Sequence, residues 1–288
     1  MYVEPGLFYR FDPVVSPVPL LVDVSRSGRE YPTHYRSPVA FSVLHDNVSM
    51  YVDEIWKEAP FLGGTLVQAL VPHVYIDMNR HELDLDENLI EGTWPVPLEP
   101  NASKRGLGLL KSVSRYGEPM QERKLTVDEI MFRMNNYHRP YHKELKSNVD
   151  RLLAANGFLY HLSCHCMSAI GAPTHPDAGK VRADFCLGNG TGKTSSPEFI
   201  EFVAKTIRDL GFTCAINDPY PGGEINRRYG DPENGVESLL MEINKKCFMD
   251  VKTFEKNEGF DRIQKAATAI MAAIAARARA KLANAIAA

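Results

Sequence analysis

Residues 143–166 read KELKSNVDRLLAANGFLYHLSCHC. Leu145, Val149, Leu152 and Leu153 recur at helical spacing, so they share one face of a helix over 143–156. Gly157 stands where a left-handed residue closes a helix. The apolar run at 158–162 then reads as a buried strand. The same unit recurs downstream. Ser196 and Pro197 open a helix with Ile200, Val203, Ile207 and Leu210 on one face, Gly211 closes it, and strands follow at 213–216 and 239–243. Upstream, Leu20–Val24 is a short buried strand ending in a turn at 25–28, and 65–71 and 74–78 read as two more strands parted by Pro72 and His73. Alternation of this kind predicts a three-layer α/β fold, with a mainly parallel or mixed sheet and helices on both faces. In such sheets ligands collect at the carboxyl ends of the strands.

The composition suits a folded protein with an ordinary core: 288 residues, 44% apolar, 24% charged, net charge −3. No basic excess points to nucleic acid or to a membrane surface, and no apolar run approaches membrane-spanning length. Five cysteines, an odd and sparse count, do not form a disulfide framework. With no signal-like N-terminus, a reducing cytoplasm is expected. The expected organisation is one domain over 1–288, with oligomeric state left open. The Pro-, Gly- and charge-rich segment 81–123 reads as a lid or active-site loop. The Ala-rich tail 261–288, with Ile263, Ile270, Ile274 and Ile286, reads as an amphipathic helix on the outside of the domain or partly in an oligomer contact.

Several polar clusters fall where strands end. The loop 217–230 carries Arg227, Arg228, Tyr220 and Tyr229 and leads to an apolar strand holding one acid, Glu242. Burying an unpaired carboxylate is expensive, and paired arginines suit anionic ligands, so this reads as half of an active site. His165 sits just past its strand and is either a satisfied core histidine or a metal ligand or proton carrier. Strand alternation keeps Cys164 and Cys166 from joining it in one small site without a bend. The strand over 74–78 would deliver Asp77, Asn79 and Arg80, where Arg80 either clamps a carboxylate or pairs with Asp77. The stretch 187–195 imitates a phosphate loop, but Gly188 and Gly190 both lie too close to Gly192 and Lys193 for that spacing. Its backbone N–H groups remain a possible anion cradle. His142 opens a helix and is either a first-turn residue or aimed into the cleft.

Together these clusters resemble the N-formylglutamate amidohydrolase family, in order and over nearly the whole chain. The matching stretches are the opening strand and turn (19–28), the strand ending at Asn79 and Arg80, the helix start at 140–142, His165, the stretch 184–188, and the loop and strand from Gly222 to Glu242, with 249–250 beyond. The resemblance implies a fold similar to zinc exopeptidases. It implies a hydrolase that cleaves the C–N bond of a small acidic N-acyl amino acid, formylglutamate to formate and glutamate, in histidine degradation. It implies a zinc-bound water, Glu242 as the base that takes its proton, and His165 as metal ligand or acid. Arg80 with Arg227 or Arg228 would hold the substrate carboxylates, and Asn79 and Gly223 would line the pocket.

The metal positions depart from that pattern. Arg26 stands where the family places a histidine ligand, Ser49 where it places a carboxylate, and Ser163 where an acid precedes the second histidine. One rescue recruits Asp46 or Asp53, with His45 or His142, around His165. In the other, Arg26 fills the position as a fixed positive charge, which stabilises an oxyanion but does not generate hydroxide. The alternative to an enzyme is a catalytically altered paralogue that binds a carboxylated metabolite or a partner protein without zinc chemistry.

Overall fold

In the computed structural model, which describes residues 1–173, 175 and 177–287, one mixed sheet of eight strands organises the chain. The strands are β1 (Tyr2–Glu4), β2 (Phe8–Phe11), β3 (Leu20–Val24), β4 (Thr65–Ala69), β7 (Leu159–Met167), β8 (Phe185–Gly188), β9 (Cys214–Ile216) and β10 (Val236–Asn244), in the order β1-β2-β4-β3-β7-β10-β8-β9. A small parallel pair, β5 (Ile90–Glu91) and β6 (Leu125–Thr126), stands apart. The centre of the large sheet, β4-β3-β7-β10, is parallel, and β8 pairs with β10 antiparallel.

Among the described residues, seven α-helices flank the strands: α1 (Phe41–Asn47), α2 (Val52–Ile55), α3 (Val127–Arg133), α4 (Arg139–Asn156), α5 (Pro197–Asp209), α6 (Glu224–Tyr229) and α7 (Phe260–Ala287). One face of the sheet, carrying Leu20, Val22, Leu162, Cys164, Met241 and Ile243, packs on α2, α5 and α7. The opposite face, carrying Leu21, Val67, Leu159 and Val236, packs on α3, α4 and α6. These are the three layers expected. Gly157 (φ 71°) and Gly211 (φ 81°) end α4 and follow α5 in the left-handed region, where a Cβ is strained. Among the described residues no helix is long and apolar enough to cross a membrane.

The sequence-based expectations need two corrections. Strand β7 continues through residues 163–167, so His165 lies within the strand and not past it. The segment 74–78 is not a strand but a buried irregular run, with Val74, Tyr75, Ile76 and Met78 in the core. The tail forms helix α7. Ile263, Ala267, Ile270, Met271, Ile274 and Ala278 along one face of α7 are buried against the sheet. The side chain of Ile286, like all of Ala288, lies outside the described residues.

Candidate active site

On the face of the sheet that meets α4 and α6, the side chains of β3, β7 and β10 form polar rows, because residues in register on parallel neighbours project to the same side. Asp23 is opposite Ser163, and Glu242 is opposite His165. Both Glu242 (6% exposed) and His165 (1%) are buried. Cys164 lies on the other face and Cys166 packs there too, so neither joins His165. Ser163 donates to Asp23 at 2.8 Å, and Asp23 also accepts from the Tyr141 hydroxyl. His165 Nε2 lies 3.1 Å from both Ser163 Oγ and Asn79 Nδ2. Asn79 accepts the Ile225 N–H through Oδ1, which turns its NH2 toward the ring. His165 Nε2 is therefore an acceptor, and the neutral ring carries its proton on Nδ1.

The segment 75–80 holds its irregular path because side chains far along the chain meet its carbonyls. A π-helical turn (Met134–His138) joins α3 to α4. From this rod Arg133 donates to the Tyr75 carbonyl, His138 to that of Arg80, and His142 to that of Met78. Asp77 N–H donates to the Leu109 carbonyl, so the segment needs no neighbouring strand. Asp77 then receives the fork of Arg26, Nε at 2.9 Å and Nη2 at 2.7 Å. Arg80 donates to the carbonyls of Leu107 and Asn79 and has no ion pair among the described residues.

This arrangement shifts the protonation of its members. Burial pushes the Glu242 carboxyl up to about 7, against the pull of Arg26, Arg182, Arg80 and Lys245. Burial also raises Asp23, to about 6, despite its two hydroxyl donors. For Asp77 burial is overridden by Arg26 and Arg80, which hold it well below the usual carboxylate range. Burial and the nearby Arg26 keep His165 neutral, far below its ordinary value. Arg80 falls to about 10, first through burial and then through Arg26. Glu242 Oε2 and His165 Nδ1 have no hydrogen-bond partner among the described residues, and neighbouring orphans of this kind point to a ligand-binding locus.

The structure brings Glu242, His165, Asn79, Arg26 and Arg80 into one region. Gly223 belongs there as well: a Cβ on it would fall 2.4 Å from the Asn79 amide, so the glycine lets Asn79 reach His165. Arg227 and Arg228 sit on α6 and lean on acids, Arg227 on Glu224 at 3.3 Å and Arg228 on Glu82 and Glu224 at 3.9 Å. Of the two readings of Arg80, the pairing with Asp77 is taken by Arg26. The phosphate-loop imitation spends its N–H groups internally: Gly190 donates to Pro221, and Gly192 and Thr194 donate to Asn189. Sequence reasoning passed over Asp23, Tyr141, Lys111 and His73. Asp23 carried the signal that exposed Glu242, an acid in an apolar strand. Lys111 carried none.

The donor set does not fit a catalytic zinc, which wants three protein ligands. Asp46 is paired with Arg115 at 2.7 Å and Asp53 with Arg29 at 2.6 Å. Ser49 offers no carboxylate, and His142 spends both ring nitrogens on Tyr229 and Met78. His45 packs between Phe41 and Phe254. Among the described residues no group of three His, Cys, Asp or Glu side chains is placed to hold a metal. Arg26 instead sets a guanidinium beside His165 and Glu242, and its charge opposes that of a dication.

A buried acid paired in register with an imidazole, at the carboxyl ends of parallel strands and ringed by cations, is the layout of an α/β hydrolytic enzyme. The N-formylglutamate amidohydrolase family matches residues 18–249, and the chain belongs to that family. It is 25% identical over 237 residues to an N-formylglutamate deformylase of Pseudomonas putida, covering 81% of this chain and 82% of the relative. A deformylase of Pseudomonas aeruginosa is 24% identical, over 81% and 83%. The crystal structure of an N-formylglutamate amidohydrolase from Ralstonia eutropha JMP134 superposes with a TM-score of 0.89 at 35% identity, covering 95% of this chain and 99% of that one. A protein of Agrobacterium tumefaciens, at 16% identity and TM-score 0.61 over 98% and 94%, shares the fold.

Proposed function

We propose that this protein hydrolyses the amide of a small N-acyl dicarboxylic amino acid, with N-formylglutamate as the substrate to try first. Glu242 is the general base. It takes a proton from water as the oxygen adds to the formyl carbon, and returns it to the amine nitrogen as the C–N bond breaks, so that formate and glutamate leave. A carboxylate held near 7 is matched to this task at neutral pH, because it is partly ionised and basic enough to accept the proton. Arg26, fixed by Asp77 through two bonds, supplies positive charge for the oxyanion, and its Nη1 has no partner among the described residues. His165 Nδ1 offers a second donor. Arg80 holds a substrate carboxylate.

The observation that carries this reading is buried Glu242 in register with His165, with Glu242 Oε2 and His165 Nδ1 both lacking a hydrogen-bond partner among the described residues. The test is formate release from N-formylglutamate by wild type and Glu242→Gln. A second reading, a cleft that binds a dicarboxylate without turning it over, draws support from Arg26 and Ser49 at the family's ligand positions. Ligand binding without formate release would select it.

A further inference from the structure

We propose that Lys111, from the irregular segment 81–123, is a further substrate-binding residue that holds the second carboxylate of a dicarboxylic ligand, opposite Arg80. The proposal rests on the dicarboxylate reading above. The segment is laced to the site's own: Asp77 N–H donates to Leu109, and Arg80 Nε donates to the Leu107 carbonyl at 2.8 Å. Lys111 is fixed in turn by a bridge to Leu107 and by Gln121, which donates to its carbonyl at 3.0 Å.

Lys111 is 8% exposed, and among the described residues its Nζ contacts only neutral groups, His73 Nε2 at 3.0 Å and Asn47 Oδ1 at 3.3 Å. A buried ammonium without an ion-pair partner of its own is costly, so a lasting one calls for a ligand anion. The charges facing it are Asp77, Arg26, Arg80 and Arg115, with His73 in contact and His175 nearby. Arg26 is matched by Asp77 and Arg115 by Asp46. Further round, Arg182 is matched by Asp177, while Lys245 donates to the carbonyls of Asp46 and Val48 and faces Glu242. Of the cations in this group, half-buried Arg80 and buried Lys111 make no ion pair among the described residues, although Asp77 and Asp84 lend Arg80 negative charge from nearby. Two carboxylates match two cations, and a monocarboxylate leaves one unpaired. Burial also lowers Lys111 to about 7, so its charge is lost as pH rises through neutrality unless a ligand anion holds the proton in place.

The experiment is calorimetric titration of glutarate and butyrate into wild type, Lys111→Met, Lys111→Gln and Lys111→Arg at pH 6.5, with circular dichroism to confirm folding. The expected result is glutarate binding by wild type that weakens at least tenfold in the Met and Gln variants and stays within a few-fold in Lys111→Arg. The advantage of glutarate over butyrate should collapse with it. Wild-type glutarate affinity should also fall between pH 6.5 and 8.5, which needs no variant to fold. Unchanged affinity in folded Met or Gln variants, or no glutarate binding by wild type, overturns the proposal. Lys111-dependent binding without formate release would overturn the hydrolase reading and leave this one standing.

Discussion

Glu242 and His165 face each other in register on adjacent parallel strands, and each keeps one buried polar atom without a partner among the described residues. The flanking hydrogen bonds explain why the pair stays available. Asn79 and Ser163 take up the far side of the imidazole, and Asp77, not Glu242, receives the Arg26 fork. A closer Arg26–Glu242 pair would lower the acid and cost it its basicity.

The pH dependence follows from Glu242. Its ionised form is the base, so kcat/KM should rise with pH through about 7. Stability should run the other way. A carboxyl raised above its unfolded value stabilises the fold while protonated and loses that contribution as pH rises through about 7. Glu242→Gln should therefore match wild type near pH 5 and exceed it near pH 8 by on the order of 1–3 kcal/mol in urea denaturation. A rising limb near the ordinary glutamate range, or a Gln variant less stable at both pH values, contradicts this account of the acid.

Gly223→Ala tests the close approach at Asn79. The added Cβ meets the Asn79 amide at 2.4 Å, so the amide must move and release His165. Turnover should fall at least tenfold, with a loss of roughly 1–3 kcal/mol in stability. Turnover within twofold of wild type would show that Asn79 does not position the ring.

Arg80→Ala should weaken a dicarboxylate by 10- to 100-fold, about 1.5–3 kcal/mol for a charge-assisted contact. It also leaves the Leu107 and Asn79 carbonyls without their donor, so a small drop in melting temperature is expected while the fold persists. Equal affinity in wild type and variant removes Arg80 from the binding site.

The zinc question has a direct answer in elemental analysis of wild type and His165→Ala after growth with zinc supplied. With one free imidazole nitrogen and a guanidinium beside it, the expectation is well under one zinc per chain in both proteins. About one zinc per chain in wild type, lost in His165→Ala, would mean that other side chains move to complete a metal site.

The layered fold was legible because it is written locally. The helical face of Leu145 and Val149 and the stops at Gly157 and Gly211 need only their neighbours. Glu242 was legible because an acid in an apolar strand is costly. Residues 74–78 misled because an apolar run does not say what meets its carbonyls, which here are met by Arg133 and His142 more than fifty residues away. The sequence reads β7 as ending at Leu162 because Ser163 and His165 are polar, and only Asp23 and Asn79, distant in the chain, let them be buried. Lys111 gained its meaning only when the chain set it beside Asp77 and Arg80.

The most direct test of the central claim is formate released from N-formylglutamate at pH 7.5 by wild type and Glu242→Gln, with glutarate binding measured on both. The account predicts formate from wild type, a loss of at least a thousandfold in the variant, and binding kept within a few-fold. Formate released equally by both proteins, or by neither, would contradict it.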